Sequence, residues 1–295
     1  MIVEPFASLQ SAHRQATTYL SKHGSETPAL DARILIAWSV NAETDILYRA
    51  PDQVLQSAEH ERLQHALGRR ARAESVARII GYRSFWTLKL QVTAHTLEPR
   101  PESELLIEQA LQEIDRRLLR NAPLTIIDMG TGTGALLLSL LSECPNAFGI
   151  GTDLHSGALE TARINAQTHG LADRSSFVRA DMTRGLKLQS ADIFLSNPPY
   201  IERDAIGDLT PTVREYDPHS ALDGGLDGLD FYRHLAAALS QTPPRIGAWI
   251  EIGFDQSKAV SALFSDLSLQ LGVLPDIAGQ PRCVEFIPHP VTFND

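Results

Sequence analysis

Apolar residues recur every three or four positions in the first third of the chain, and this spacing predicts helices. Thr27 and Pro28 form a pair typical of a helix start, and Leu30 and Ile34 follow at helical spacing. A second helix is predicted over residues 53–72, where one face is polar and the other carries leucines. The first third is therefore expected to form a small helical domain.

The apolar pattern changes after Gly81. Apolar residues mostly alternate with Thr, Lys and Gln over residues 85–92, which predicts a short β-hairpin. Two prolines within residues 97–101 disfavour a helix and predict an extended linker. Residues 102–119 then resume a helical pattern.

Short apolar runs and helical stretches alternate along the rest of the chain. The predicted strands are residues 124–128, 148–153, 175–179, 193–196 and 248–252. Helices are predicted between them, for example over residues 135–142 and 157–168. This order is typical of an α/β domain whose largely parallel sheet is covered by helices on both faces.

The distribution of charge supports a division of the chain. Residues 1–95 carry 11 basic and 9 acidic side chains, whereas residues 96–295 carry 15 and 27. We expect a helical domain at residues 1–82, a hairpin and Pro-rich linker at residues 83–104, and an α/β domain at residues 105–295. The Arg-rich stretch at residues 69–83 is either a solvated face or a docking patch for an acidic or RNA-bound partner.

Composition excludes several classes of protein. Of the 295 residues, 43% are hydrophobic and 21% charged, which is typical of globular proteins. The net charge of −10 disfavours sequence-independent binding to nucleic acid. Cys144 and Cys283 are interpreted as reduced thiols of a cytoplasmic protein. No apolar run reaches the ~20 residues that span a bilayer, no secretory signal is visible, and the histidines show no metal-ligand spacing.

A glycine-rich loop follows the first predicted strand of the α/β domain. It consists of Asp128, Met129, Gly130, Thr131, Gly132, Thr133 and Gly134. Glycines let the backbone turn tightly and let a ligand approach it, and the following helix points its free N–H groups at that ligand. The loop predicts a nucleotide-like ligand, and it also fits a dinucleotide fingerprint. A tight turn without a ligand is the alternative.

Acidic residues follow the next two strands. Asp153 lies 21 residues after Gly132, where a carboxylate can accept hydrogen bonds from both hydroxyls of a ribose. A helix-capping carboxylate is the alternative for Asp153. Asp181 and Met182 follow the third strand and are predicted to hold an adenine, through its exocyclic amine and its ring face respectively.

The most specific motif follows the fourth strand and consists of Asn197, Pro198, Pro199 and Tyr200. The two prolines fix the backbone and lack N–H groups, so that carbonyls face the site without competing donors. Asn197 adds a side-chain carbonyl, and Tyr200 adds a flat aromatic face. The motif predicts a pocket for a planar NH₂ group, whereas a nicotinamide cofactor would give it no role.

These features resemble S-adenosylmethionine-dependent methyltransferases that act on amino nitrogens, and further motifs narrow the resemblance. Residues 97–104, Leu-Glu-Pro-Arg-Pro-Glu-Ser-Glu, resemble the Ile-Pro-Arg-Pro-Glu-Thr-Glu segment of the HemK/PrmC family of release factor glutamine methyltransferases. Residues 216–230, 251–256 and 276–279 also match that family. Ser103 stands where the family has Thr, and Asp217 where Glu is common.

The resemblance implies a Rossmann-like class I methyltransferase domain with a mostly parallel seven-stranded sheet. It implies methyl transfer from S-adenosylmethionine, with S-adenosylhomocysteine as product, to the side-chain amide nitrogen of the glutamine in the Gly-Gly-Gln loop of class I peptide chain release factors. The helical domain would help to hold the release factor. Asn197 and the Pro198 carbonyl would accept hydrogen bonds from the amide, and Tyr200 would pack on its plane.

The same motifs leave other functions open. The acceptor is alternatively a glutamine of a ribosomal protein, or the N6 amine of an adenine in nucleic acid. A non-catalytic S-adenosylmethionine-binding scaffold is a further alternative. Our expectation is a cytoplasmic monomer that holds no metal and binds neither a membrane nor, directly, nucleic acid.

Overall fold

The computed structural model describes residues 2–181, 191–267 and 269–288, and the chain divides into two units. The first unit comprises Met1–Tyr82 and Thr210–Tyr216, and the second comprises Arg83–Leu209 and Asp217–Asp295. The sequence pattern did not indicate that a segment beyond residue 209 belongs to the first unit.

The first unit is helical. Its helices are α1 (Leu9–Lys22), α2 (Pro28–Ser39), α3 (Ile46–Arg49), α4 (Ser57–Arg70), α5 (Val76–Ile80) and, from later in the chain, α9 (Pro211–Tyr216). Each long helix buries one face that recurs with the helical period. The buried leucines include Leu9 and Leu20 of α1, Leu35 of α2, and Leu63 and Leu67 of α4. Pro28 is the first residue of α2 and Thr27 its N-cap, as predicted.

Helix α4 is shorter than the predicted helix over residues 53–72. The Glu59 carboxylate accepts a hydrogen bond from the Gln56 N–H at 2.8 Å. This contact is part of a capping box, so the helix begins at Ser57 rather than at residue 53. Leu55 lies before the helix, is fully buried, and donates its N–H to the Ala7 carbonyl.

Two arginines of the Arg-rich stretch at residues 69–83 form ion pairs within the helical unit. Arg69 pairs with Glu74 at 2.5 Å, and Arg70 pairs with the buried Asp31 at 2.7 Å. These two guanidinium groups therefore contribute to the packing of the helical unit rather than to a free basic patch.

The second unit contains a two-stranded hairpin and a seven-stranded sheet. Strands β1 (Tyr82–Phe85) and β2 (Leu88–Gln91) form the hairpin. The sheet is built from β3 (Thr125–Met129), β4 (Phe148–Asp153), β5 (Ser175–Arg179), β6 (Ile193–Ser196), β7 (Gly247–Glu251), β8 (Leu269–Pro275) and β9 (Pro281–Pro288). Its order is β5-β4-β3-β6-β7-β9-β8, with β9 antiparallel to both its neighbours and the other pairs parallel. The predicted Rossmann-like class and mostly parallel seven-stranded sheet are confirmed.

Helices flank this sheet. They are α6 (Glu104–Arg116), α7 (Ala135–Glu143), α8 (Ser156–Thr168), α10 (Asp230–Gln241) and α11 (Ser257–Leu263). The helix predicted over residues 102–119 is α6, preceded by a 3₁₀ turn at Pro101–Ser103. It ends early because Leu118 has a φ of 59°, which a continuing right-handed helix cannot contain. Within the described ranges, no helix has the length and apolar character needed to cross a membrane.

The point at which the strand order reverses positions the site. From β3 the chain builds outward through β4 and β5 on one side, then returns to place β6 on the other side. Met129 pairs in register with Ser196, and the Ser196 hydroxyl donates to the Met129 carbonyl at 2.7 Å. Ligands of open α/β sheets bind in the crevice at such a reversal, outside the carboxyl ends of the strands.

Substitution of Arg174 by Ala is expected to destabilise the second unit. Its guanidinium donates to the carbonyls of Leu141, Cys144 and Ala147 at 2.9–3.0 Å, around the end of α7. Hydrogen bonds to a charged group are worth about 1.5–3 kcal/mol, so the thermal unfolding midpoint should fall by roughly 5 °C. Circular dichroism measures this shift.

The matched control is Arg49→Ala, which removes an exposed guanidinium paired only with Asp45 among the contacts described for it. Exposed pairs contribute little, so this variant should unfold within about 1 °C of the parent chain. Equal midpoints for the two variants would contradict the role assigned to Arg174.

Candidate active site

A cavity of about 500 Å³ lies at the carboxyl edge of the parallel strands. The predicted site residues that line it are Asp128, Gly130, Thr131, Gly132, Thr133, Asp153, Asp181, Asn197 and Pro199. The topology therefore brings the glycine loop, the two acidic positions and Asn197 and Pro199 of the Asn-Pro-Pro-Tyr motif to one cavity.

The glycine loop has the backbone that its sequence predicts. Gly130, Gly132 and Gly134 have φ values of 72°, 54° and 82°, in the left-handed region that favours glycine. At Gly134 a Cβ would also lie 3.0 Å from the Leu138 side chain, so the start of α7 packs too closely for a larger residue. The Thr131 N–H donates to the Thr152 carbonyl at 2.8 Å and fixes the loop to β4.

Asp128 is the penultimate residue of β3 and is only 1% exposed. Its Oδ2 accepts a hydrogen bond from the Thr131 hydroxyl at 2.6 Å, while Oδ1 has no partner among the described residues. Burial raises the pKa of Asp128 to about 7, because the charged form is poorly solvated there. A partially ionised, half-satisfied carboxyl group at the wall of a cavity suits a cationic ligand.

Asp153 supports the glycine loop directly. Its Oδ2 accepts from the Gly132 N–H at 3.1 Å, and its Oδ1 accepts from the His155 N–H at 2.9 Å, just before α8. Each carboxylate oxygen retains a second lone pair, so these bonds are compatible with additional hydroxyl donors. Asp153 thus holds the turn near the start of α8, and its proposed contact with a ribose remains a prediction.

The two residues predicted to hold an adenine have different outcomes. Asp181 lines the cavity. Met182 lies outside the described residues.

The Asn-Pro-Pro-Tyr motif begins immediately after β6. Asn197 and Pro199 line the cavity, and Pro198 is buried. Tyr200 packs against the core on the β7 side, and its hydroxyl donates to Glu251 Oε1 at 3.4 Å. Tyr200 is not among the residues that line the cavity, so its stacking role stays a prediction.

Several residues at the cavity were missed from the sequence. The linker segment at residues 95–100 and Ser103 line it, although the prolines there predicted only a connection between domains. Arg100 pairs with the buried Asp217 at 2.6 Å, next to residues 218–221, which also line the cavity. Neither partner is signalled by spacing, because 117 residues separate them.

A buried asparagine also supports the site without a sequence signal of its own. The Asn165 side chain exchanges two hydrogen bonds with the backbone of Gln91 in β2 and donates to the Thr133 carbonyl at 2.9 Å. It therefore fastens the hairpin and the glycine loop to α8. Its place on the apolar face of α8, beside Ala162 and Ala166, could have marked it.

Among the residues that the structure describes, no group of three or more His, Cys, Asp or Glu side chains is arranged to hold an ion. The polar side chains at the cavity carry carboxyl, amide and hydroxyl groups, the imidazoles of His95, His155 and His219, and the Arg100 guanidinium.

Comparison with known proteins identifies the class and then the family. A sheet of this order with both loops in one crevice is a methyltransferase fold, and a model of the methyltransferase small domain matches residues 103–211. The model of the PrmC N-terminal domain matches residues 11–81. Release factor glutamine methyltransferases from Bradyrhizobium diazoefficiens and Agrobacterium fabrum are 41% and 39% identical to the chain. They cover 96% and 90% of it, and 96% and 93% of their own lengths.

The chain therefore belongs to the release factor glutamine methyltransferase family, as its motifs predicted. Among solved structures, the hMettl16 catalytic domain in complex with MAT2A 3'UTR hairpin 6 is similar with a TM-score of 0.59 at 12% identity. The similarity covers 87% of this chain and 93% of that one, and it concerns the fold alone.

The buried Asp128 carboxyl group predicts a specific dependence of stability on pH. Its pKa is raised in the folded state, so the folded protein retains a proton that the unfolded chain releases above its ordinary pKa of 3.8. The contribution of Asp128 to stability is therefore full below that value and is lost as pH rises through about 7. Asp128→Asn removes the charge while keeping an acceptor for Thr131.

At pH 8 this variant should be more stable than the parent chain, by up to about 4 kcal/mol at ~1.4 kcal/mol per pKa unit, and the difference should vanish near pH 4. Thermal unfolding at several pH values measures it. Asp223→Asn is the opposite control, because Arg203 holds the pKa of Asp223 below its usual value. That variant should lose stability at pH 8, and a pH-independent effect of Asp128→Asn would contradict the interpretation.

Proposed function

We propose that this protein transfers a methyl group from S-adenosylmethionine to the side-chain amide nitrogen of a glutamine in a class I peptide chain release factor. The target is the glutamine of the Gly-Gly-Gln loop. The observation that carries the proposal is the single cavity shared by the glycine loop and Asn197, in a chain of the release factor glutamine methyltransferase family.

The residues at the cavity fit S-adenosylmethionine. The positive-φ glycines keep the backbone open to a ligand, and Asp153 offers free lone pairs for a ribose. The Asp128 oxygen without a partner among the described residues suits a sulfonium cation. When bound, S-adenosylmethionine supplies an electrophilic methyl group. The residues of the cavity bind the cofactor and position the acceptor.

The acceptor amide would be held by oxygens. Asn197 Oδ1 and the Pro198 carbonyl accept hydrogen bonds from the glutamine NH₂ group, which fixes the direction of its nitrogen and favours in-line attack. An amide nitrogen is a weak nucleophile because its lone pair is delocalised. As positive charge develops on it, both hydrogen bonds strengthen, so the pair stabilises the transition state more than the bound substrate.

The remaining parts of the proposal concern the setting of the reaction. We assign the helical first unit a role in binding the release factor, and we infer a cytoplasmic protein that acts as a monomer. The net charge of −10 argues against a nucleic-acid substrate, for which basic side chains would be needed.

The direct test uses purified protein, isotopically labelled S-adenosylmethionine and a class I release factor. A release factor with Gln→Ala in its Gly-Gly-Gln loop is the matched control. Mass spectrometry should find one added methyl group on that glutamine and none in the control. Methylation of both factors, or of neither while cofactor binding is intact, would contradict the proposal and direct the search to ribosomal-protein glutamines and then to adenine.

Two substitutions separate binding of the acceptor from binding of the cofactor. Asn197→Ala removes an acceptor oxygen, so kcat should fall by roughly 10²-fold while cofactor affinity changes less than about threefold. Asp153→Ala removes the proposed ribose contact and the support of Gly132, so calorimetry should show cofactor affinity weakened by at least about tenfold. Normal turnover in the first variant, or unchanged affinity in the second, would refute the corresponding role.

A further inference from the structure

A chain of hydrogen bonds leads from a buried carboxyl group to Asn197. Glu251 ends β7 with a side chain that is 1% exposed. Its Oε2 accepts from the Ser103 hydroxyl at 2.5 Å, and Ser103 Oγ accepts from Asn197 Nδ2 at 2.9 Å. Ser103 itself is 3% exposed, so its hydroxyl is largely shielded from solvent although it lies at the wall of the cavity.

The direction of this chain follows from the number of protons. A serine hydroxyl has a single proton to donate, and an ionised carboxylate can only accept. When Ser103 gives its proton to Glu251, its oxygen can only accept from the next residue. The NH₂ end of the Asn197 amide must then face Ser103, and Oδ1 is the end that faces away from it.

We propose that Glu251 and Ser103 are positioning residues that determine which end of the Asn197 amide meets the acceptor. This inference rests on the proposed function, because an NH₂ group of a substrate glutamine needs Oδ1 and is repelled by Nδ2. The two ends of an amide have nearly the same shape, so packing alone discriminates poorly between them. The Glu251 carboxylate removes this ambiguity, because it can only accept the Ser103 proton.

Glu251 also holds the other end of the motif. Its second oxygen, Oε1, accepts from the Tyr200 hydroxyl at 3.4 Å. The Gln256 side chain, five residues further along, donates to the Tyr200 carbonyl at 2.8 Å and accepts from the Gly253 N–H at 3.0 Å. The segment at residues 251–256 thus fixes the orientation of Asn197 through one oxygen of Glu251 and the position of Tyr200 through the other.

Protonation of Glu251 permits the donor and acceptor roles along these hydrogen bonds to reverse. A protonated carboxyl group can donate to Ser103 Oγ, which frees the Ser103 hydroxyl to donate to Asn197 Oδ1 and turns Nδ2 toward the acceptor. Burial raises the pKa of Glu251 to about 7, so that this change falls in an accessible pH range. The titratable or charged groups that face Glu251 from the surrounding elements are Glu102, Tyr200, Tyr232, Arg282 and Cys283.

The groups around Glu251 shift its pKa in both directions. Arg282 and the hydrogen bonds from Ser103 and Tyr200 lower the pKa of Glu251, while Glu102 raises it. Burial also raises the pKa of Tyr200, Tyr232 and Cys283, so these three groups remain neutral over the range in which Glu251 titrates. The pH-dependent reversal is therefore assigned to Glu251.

The first experiment compares Ser103→Ala with Ser103→Thr, which retains the hydroxyl. At saturating cofactor, Ser103→Ala should lower kcat for the release factor by about tenfold or more while KM changes less than about threefold. Ser103→Thr should stay within about threefold of the parent chain. Calorimetry of cofactor binding and thermal unfolding confirm that each variant is folded. Equal kcat values for the Ala and Thr variants would overturn the proposal.

The second experiment measures kcat from pH 5.5 to 8.5 at saturating cofactor. The same profile is recorded in an Asp128→Asn background, so that titration of Asp128 is separated from titration of Glu251. For the parent chain, kcat should fall toward tenfold per pH unit below the pKa of Glu251. Glu251→Gln carries no charge and can face Ser103 with either end of its amide. Its kcat should be lower at pH 8 and nearly independent of pH, and a profile parallel to that of the parent chain would overturn the assignment.

A third measurement needs neither cofactor nor release factor. In a sample labelled with ¹⁵N at asparagine, the Asn197 side-chain NH₂ signal is assigned from its loss in Asn197→Asp. Its proton shifts should titrate with an apparent pKa near that of Glu251, and should not titrate in Ser103→Ala or Glu251→Gln. Absence of titration in the parent chain would refute the proposed relay, that is, the hydrogen bonds from Glu251 through Ser103 to Asn197. Titration without methylation of a release factor would leave the relay standing and refute the proposed function instead.

Discussion

The parallel pairing of β3 with β6 is the interaction on which the site depends. These strands are distant in the sequence, yet Asp128 lies opposite Leu195 and Met129 opposite Ser196. Because both strands end at the same edge, the loops that follow them open into the same crevice. The glycine loop and Asn197 therefore share one cavity. A shift of β6 by a single position would exchange the side chains that it buries on the two faces of the sheet and would displace Asn197.

The loops at that edge have little regular structure, and side chains hold them in place. Asp153 accepts the Gly132 N–H, and Asn165 donates to the Thr133 carbonyl. On the opposite side, Gln256 donates to the Tyr200 carbonyl. A site that works by orienting its substrates needs this rigidity before they bind, since a group that must first be ordered gives up part of its advantage.

Local patterns predicted what depends on local spacing. The strands at residues 148–153, 175–179 and 193–196 have the predicted bounds, and the glycines of the loop have the expected positive φ. Helix α1 was not singled out because alanines such as Ala12 and Ala16 carry much of its buried face. Strand β8 was missed because it is only partly buried, so that its apolar pattern is weak.

Contacts across long sequence separations account for what the sequence did not reveal. Ser103 and Glu251 are 148 residues apart, and only the folded sheet brings the 3₁₀ turn before α6 to the end of β7. One signal was nevertheless present, since Glu251 follows an apolar run in a strand that is buried throughout. A lone carboxylate at the end of such a strand indicates a function that outweighs the cost of burying it.

The two buried carboxyl groups of the site occupy related positions. β6 lies between β3 and β7, so Asp128 and Glu251 lie at the carboxyl ends of the two strands that flank the one leading to Asn197, Asp128 one residue before the end of β3 and Glu251 at the last residue of β7. Burial raises the pKa of each to about 7, which means that each ionised form destabilises the free protein. Under the proposed reaction this cost has a use, because methyl transfer begins from a cationic donor and develops positive charge on the acceptor nitrogen. Fixed negative charge on both sides of that path favours the transition state without any reorganisation of solvent, and the stability lost in the free protein is recovered in part when a cation binds.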